Sequence, residues 1–111
     1  MNIYLGVLLI AAGALLVVVG VLTADGRIPR NQFAGIRTKR SMADDQSWLT
    51  VHRAARPWMI GAGAVLAVAG VLALAVPSEL AGSLSAGIGA ILTAVLALRG
   101  TAAGHAALRR R

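Results

Sequence analysis

Charge is absent from three long stretches of this chain, and that absence decides what it can fold into. From Met1 to Ala24, from Pro57 to Ser78 and from Leu80 to Leu98 no side chain is charged. Even the shortest, at 19 residues, reaches roughly 28 Å as a helix, against a bilayer hydrocarbon core of about 30 Å. The stretches therefore predict an all-α integral membrane protein with three transmembrane helices, over residues 3–24, 57–76 and 79–98. No segment alternates with period two, and there are too few segments to close a membrane barrel.

Composition narrows the classes further. Of the 111 residues 58% are apolar and 14% charged, whereas a soluble domain is roughly 45–50% apolar and about 25% charged. Disordered chains need the opposite balance. With no cysteine, a disulfide scaffold, a thiolate zinc site and a thiol nucleophile are excluded.

The segments differ in strength. Thirteen Leu, Ile or Val residues lie between Ile3 and Leu22, but only eight between Leu80 and Leu98, where Gly82, Ser83, Ser85, Gly87, Gly89 and Thr93 intervene. The third helix is therefore expected to depend on a neighbour. Pro77 ends one helix and Ser78 is placed to cap the next, which makes the second and third an antiparallel hairpin.

All eleven basic residues sit in two places. Arg27, Arg30, Arg37, Lys39, Arg40, Arg53 and Arg56 lie in the loop 25–56, and Arg99, Arg109, Arg110 and Arg111 in the tail 99–111. The positive-inside rule then predicts an outside N-terminus with the loop and C-terminus in the cytoplasm. It also argues against a cleaved signal peptide, since no basic region precedes the first apolar run. The location expected is a bacterial plasma membrane, crossed several times.

No ionisable group falls at membrane depth, Glu79 being at the outer edge, so a charge-coupled transporter is disfavoured. Small residues instead suggest packing faces. Gly6, Gly13 and Gly20 recur every seven residues; Gly63, Ala67 and Gly70 lie together on the second helix; and Gly82, Ala86, Ala90 and Ala94 recur every four on the third. Such faces let backbones approach where lipid removes any hydrophobic drive.

The loop 25–56 holds ten of the fifteen charged residues, with Phe33 and Trp48. Pro29 biases Ile28 away from helix, and Gly35 suggests a turn or close approach. An amphipathic helix is expected over about 42–56: Ser41 and Asp44 stand as S-x-x-D, with Asp44 and Asp45 opposing the N-terminal dipole. Trp48, His52 and Ala55 form one stripe on it, and Pro57 begins or kinks the next helix. Arg37 and Arg53 either meet lipid phosphate or pair with Asp44 or Asp45. His52 has no second His or Cys nearby, so no metal is expected, and no cofactor. Because topology already explains the basic residues, direct nucleic-acid binding is not expected. His105 reads as an interfacial tail residue.

The run Pro29, Asn31, Gly35, Ile36, Arg37, Thr38, Ser41, Asp44, Asp45, Trp48, His52 and Arg53 resembles the cytoplasmic motif of the SdpI family, bacterial membrane proteins named for an immunity protein against a secreted killing toxin. The chain departs from that pattern at Gln32 and Lys39. The resemblance implies a non-catalytic membrane protein acting in toxin immunity or signalling through its loop, with a cytoplasmic regulator as partner. On this reading Asn31, Gly35, Arg37, Thr38, Ser41, Asp44, Asp45, Trp48, His52 and Arg53 bind a partner or lipid headgroup. The rival expectation is an accessory subunit of a larger membrane complex, or a homo-oligomer, joined through the glycine faces and membrane lipids.

Overall fold

The computed structural model describes residues 3–110, and Arg111 of the basic tail lies outside them. All regular structure among the described residues is helical: α1 (Ile3–Ala24), α2 (Asp45–Ala75) and α3 (Glu79–Arg109). Each is long and apolar enough to cross a membrane. They run up, down and up, with α2 in the middle packed on both neighbours while α1 and α3 barely touch. The result is a slab of 50 × 22 × 18 Å.

Small residues fix both seams. Gly6, Gly13 and Gly20 are buried on α1. A methyl group at Gly13 would strike the Gly63 carbonyl and Ala67 backbone of α2, and one at Gly63 or Gly70 would strike the carbonyls of Gly13 or Gly6. On α3 the buried positions are Gly82, Gly89, Gly100 and Gly104, with Gly89 on Ala69, Gly100 on Trp58 and Ala55, and Gly104 on Val51. Thr93 adds a hydrogen bond of 3.2 Å from its hydroxyl to the Ala62 carbonyl. Ala86 is half-buried, but Ala90 and Ala94 are exposed, which corrects the four-residue spacing expected for this face. At about 100° per residue a strict repeat of four drifts about 40° a step, so Ala90 has rotated off the seam that Gly82 occupies.

Two boundaries also differ from the expected ones. Instead of an amphipathic helix over 42–56 followed by a separate segment at 57, α2 is one helix from Asp45 with Pro57 inside it. Its cap is Asp44, whose carboxylate accepts from the Ser47 N–H at 2.6 Å, because Ser41 is drawn into the loop instead. Pro57 deletes only the bond to the Arg53 carbonyl, and that carbonyl lies where the helix leaves the apolar zone. Likewise α3 does not stop at Leu98 but carries the tail as helix to Arg109, held on α2 through Gly100 and Gly104. At about 1.5 Å per residue α2 and α3 are each about 46 Å long and α1 about 33 Å. Two or three turns of α2 and α3 thus stand proud of the bilayer on one side, and the α1–α2 connection folds onto them.

Candidate functional site

The connection leaves α1 through a glycine-terminated stop. Gly26 has φ +81°, and the amides of Gly26 and Arg27 return to the carbonyls of Thr23 (3.3 Å) and Leu22 (2.9 Å), a Schellman pattern that turns the chain sharply. Arg53 of α2 donates to the Ala24 carbonyl at 3.4 Å, placing a cation at the negative end of α1. Arg56 pairs with Asp25 at 3.2 Å.

Residues 29–34 are then tied by one side chain. The Asn31 amide nitrogen donates to the carbonyls of Pro29 (2.7 Å) and Ala34 (3.1 Å). Its oxygen accepts from the amides of Phe33 and Ala34, both at 2.8 Å. Asparagine is suited to this because one short side chain carries two donors and a two-lone-pair acceptor. The turn leaves Phe33 91% exposed.

Next the chain crosses α2 on two aromatic rings. Gly35, at φ +112°, lies so close to Trp48 and His52 that a methyl group would overlap both. The Ile36 amide donates to His52 Nε2 at 2.8 Å, and His52 Nδ1 lies 2.7 Å from the Trp48 carbonyl. An amide can only donate and a carbonyl only accept, so the ring is neutral with its proton on Nδ1. Burial holds His52 below the ordinary histidine range, partly offset by the bond to Trp48. The two rings stack tilted, 4.1 Å between centroids, and Trp48 Nε1 donates to the Ile28 carbonyl at 3.1 Å. Ile36 itself packs with Val51 and Ala55 in a small apolar core flanked by Met59 and Leu108.

A hydroxyl pair closes the cap against α3. The fully buried Ser41 hydroxyl accepts from the Thr38 amide (2.9 Å) and donates to the Ile36 carbonyl (2.7 Å). Thr38 Oγ1 accepts from the Ser41 amide at 3.1 Å and lies 2.9 Å from His105 Nε2 of α3.

Thus Gly35, Thr38, Ser41, Trp48 and His52 converge in one interior, with Asn31 shaping the turn beside it and Asp44 starting α2. Arg37 does not join them; it is exposed, as are Lys39 and Arg40. The expected pairing of Arg37 or Arg53 with Asp44 or Asp45 does not occur among the described residues: Asp45 pairs with Arg30 at 3.4 Å, and Arg53 is committed to Ala24. Arg30 takes Asp45, being already anchored on the Met42 carbonyl at 2.9 Å. Among the described residues no three His, Cys, Asp or Glu side chains come together as metal ligands would.

The cap, α2 and most of α3 are the part that a family model matches: the SdpI/YfhL protein family, over residues 27–100. The chain belongs to the SdpI/YfhL family. It is accordingly a multi-pass membrane protein. No curated protein and no solved structure gives a significant match. Two contributors to this SdpI/YfhL cap escape a reading of the sequence. His105 lies beyond the matched segment and looked like a tail residue; only the helical continuation of α3, hinted at by the Gly100 and Gly104 spacing, brings it to Thr38. Gly26 has no local motif beyond its place after an apolar run.

Proposed function

We infer that the chain is a non-catalytic binding module whose folded loop docks a partner, in the toxin-immunity or signalling manner that SdpI-family membership suggests. The supporting observation is a division of labour in the cap. Its hydroxyls, the Asn31 amide and His52 are spent on internal hydrogen bonds, whereas Arg37, Lys39 and Arg40 are exposed cations with no ion pair among the described residues. Buried polar groups with satisfied partners fix one shape, and exposed, fixed cations then offer an acidic partner a definite pattern. The basic loop and tail favour placing this end in the cytoplasm of a bacterial cell, the N-terminus outside.

The test is recovery of co-purifying proteins in mild detergent from cells expressing a tagged chain, wild type against Arg37→Ala. Loss of a small cytoplasmic regulator from the variant, with membrane insertion intact, is the expected result. Equal recovery would discard Arg37 as a docking residue. The rival reading, an accessory subunit or homo-oligomer, draws support from α3, whose outer face exposes Leu84, Ile88, Ile91 and Val95 and has open space beside Gly87. Fixed-stoichiometry recovery with larger membrane subunits would favour it.

A further inference from the structure

Phe33 is a large aromatic side chain that the structure turns fully outward, and its depth is what makes that informative. Phe33, Ala34 and Gly35 border a groove of about 490 Å³ whose other walls are Ala12, Leu15, Leu16 and Val19 of α1 and Met59 of α2. With about 1.5 Å of rise per residue, Val19 lies about 7 Å below the end of α1 at Ala24 and Ala12 about 18 Å below it. Since α1 is close to the hydrocarbon thickness in length, the groove runs within the apolar layer. The loop tip at its upper end therefore does not stand off the membrane; it reaches back down alongside α1.

Backbone at that depth must have its polar groups satisfied internally, because lipid supplies no partner. The tip meets this demand in part. Asn31 serves the amides of Phe33 and Ala34 and the carbonyls of Pro29 and Ala34, Pro29 has no amide hydrogen to satisfy, and the Ile36 amide is taken by His52. Such pairing lowers the cost of bringing the tip to the interface, where headgroup water serves the backbone groups that remain. A phenylalanine ring favours the apolar layer over water.

The geometry points to a membrane-inserted wedge: the tip 31–35 enters the bilayer interface, and Phe33 closes over a phospholipid acyl chain lying in the groove along α1. The occupant is an acyl chain because no charged or polar side chain lines the groove, its α1 wall from Ala12 to Val19 lies at hydrocarbon depth, and the exposed Arg37 cation follows the tip that borders its upper end. The exposed Arg37, four residues on and so within about 14 Å along the chain, can reach the phosphate of the same lipid. This goes beyond the docking role and does not depend on it.

The absence of cysteine makes the test clean. Nitroxide labels are placed singly by Phe33→Cys, Leu15→Cys and Arg40→Cys, and the protein is reconstituted without other proteins in phosphatidylethanolamine/phosphatidylglycerol vesicles. Accessibility to oxygen and to a water-soluble nickel chelate is then read by electron paramagnetic resonance. The label at 33 is expected to resemble that at 15, favouring oxygen severalfold, and to differ from that at 40. A label at 33 as open to the chelate as that at 40 would overturn insertion and leave Phe33 for a protein partner. For the groove, native mass spectra of wild type and Phe33→Ala released from detergent are compared. One retained phospholipid on the wild type, lost from the variant, is expected; equal retention or none on either would overturn the acyl-chain site.

Discussion

Between Gly13 and Gly63 the backbones of α1 and α2 approach so closely that neither residue has room for a methyl group; between Ile36 and His52 the chain is held by one hydrogen bond of 2.8 Å to a buried ring. The slab and the cap differ because their surroundings differ. In lipid an apolar side chain gains nothing by moving from acyl chains to a protein neighbour, so association rests on close backbone contact and asks for the smallest residues. At the emerging helix ends water competes for every polar group, and a fold there must be specified by paired donors and acceptors around a small apolar centre. Tolerance to substitution should follow the same line: the slab judges size, the cap judges chemistry.

The largest effect should come from size in the slab. Gly63→Val places a branched side chain against the Gly13 carbonyl and Val17 backbone, neither of which can yield as a flexible side-chain end would. A loss of about 3 kcal/mol or more is expected in reversible unfolding in mixed micelles. Gly87→Val on the open face of α3 meets nothing within 4 Å and should leave the midpoint unchanged. If the two variants behave alike, close packing is not what holds the slab.

Next in size is a change confined to the cap. Gly35→Ala combines an unfavourable φ of +112° with contact on Trp48 and His52, and should cost about 2 kcal/mol locally. Limited proteolysis ought to cut the variant rapidly within 27–43 while the helices remain protected. Protection of the loop equal to wild type would break the distinction between the two regions.

How far each region can be read from sequence follows the range of its determinants. The three spans, and the stop at Pro77 followed by the Ser78 cap, whose hydroxyl accepts from the Ala81 amide at 3.3 Å, are local features and legible. On α1 a spacing of seven stays near one face, so Gly6, Gly13 and Gly20 can be grouped by arithmetic; on α3 the same arithmetic with a spacing of four leads off the seam by Ala90. In the cap the local pattern was ambiguous. Both Ser41 and Asp44 suit a helix N-terminus, and what decides between them is the Ile36 carbonyl five residues back from Ser41, which only the folded loop presents. His105 was out of reach altogether, its partner Thr38 being 67 residues away.

Acidification sharpens the contrast, because the membrane-spanning part of the slab contains no histidine and the interior of the cap turns on His52. The folded-state pKa of His52 lies below the ordinary value of 6.5. The unfolded chain therefore takes up this proton at higher pH than the folded one. The stability it contributes is complete above about pH 6.5 and is lost as pH falls through the folded-state value. A proton on Nε2 would face the Ile36 amide, donor against donor. Red-shifted Trp48 emission is expected on going from about pH 7.5 to about pH 5. His52→Gln, which cannot charge, should remove that component while Trp58 emission serves as the internal constant. An unchanged pH response in the variant would assign the transition to another group.

The smallest effect should come from an exposed ion pair on the surface of the cap. Arg30 and Asp45 approach to 3.4 Å, but the carboxylate is 86% exposed, and water and salt screen such a pair. Asp45→Asn is expected to cost at most about 0.5 kcal/mol, with part of that from the first-turn dipole. Thr38→Val, by comparison, removes a half-buried hydroxyl joined to both Ser41 and His105, and should cost about 1 kcal/mol. The order matters more than either value. If the exposed ion pair proved the stronger, the cap would be held by its surface charges, and Arg37, Lys39 and Arg40 would then be structural neighbours rather than groups free to meet a partner. If the hydroxyl is stronger, as its burial argues, the cap keeps its shape independently of the charges it displays.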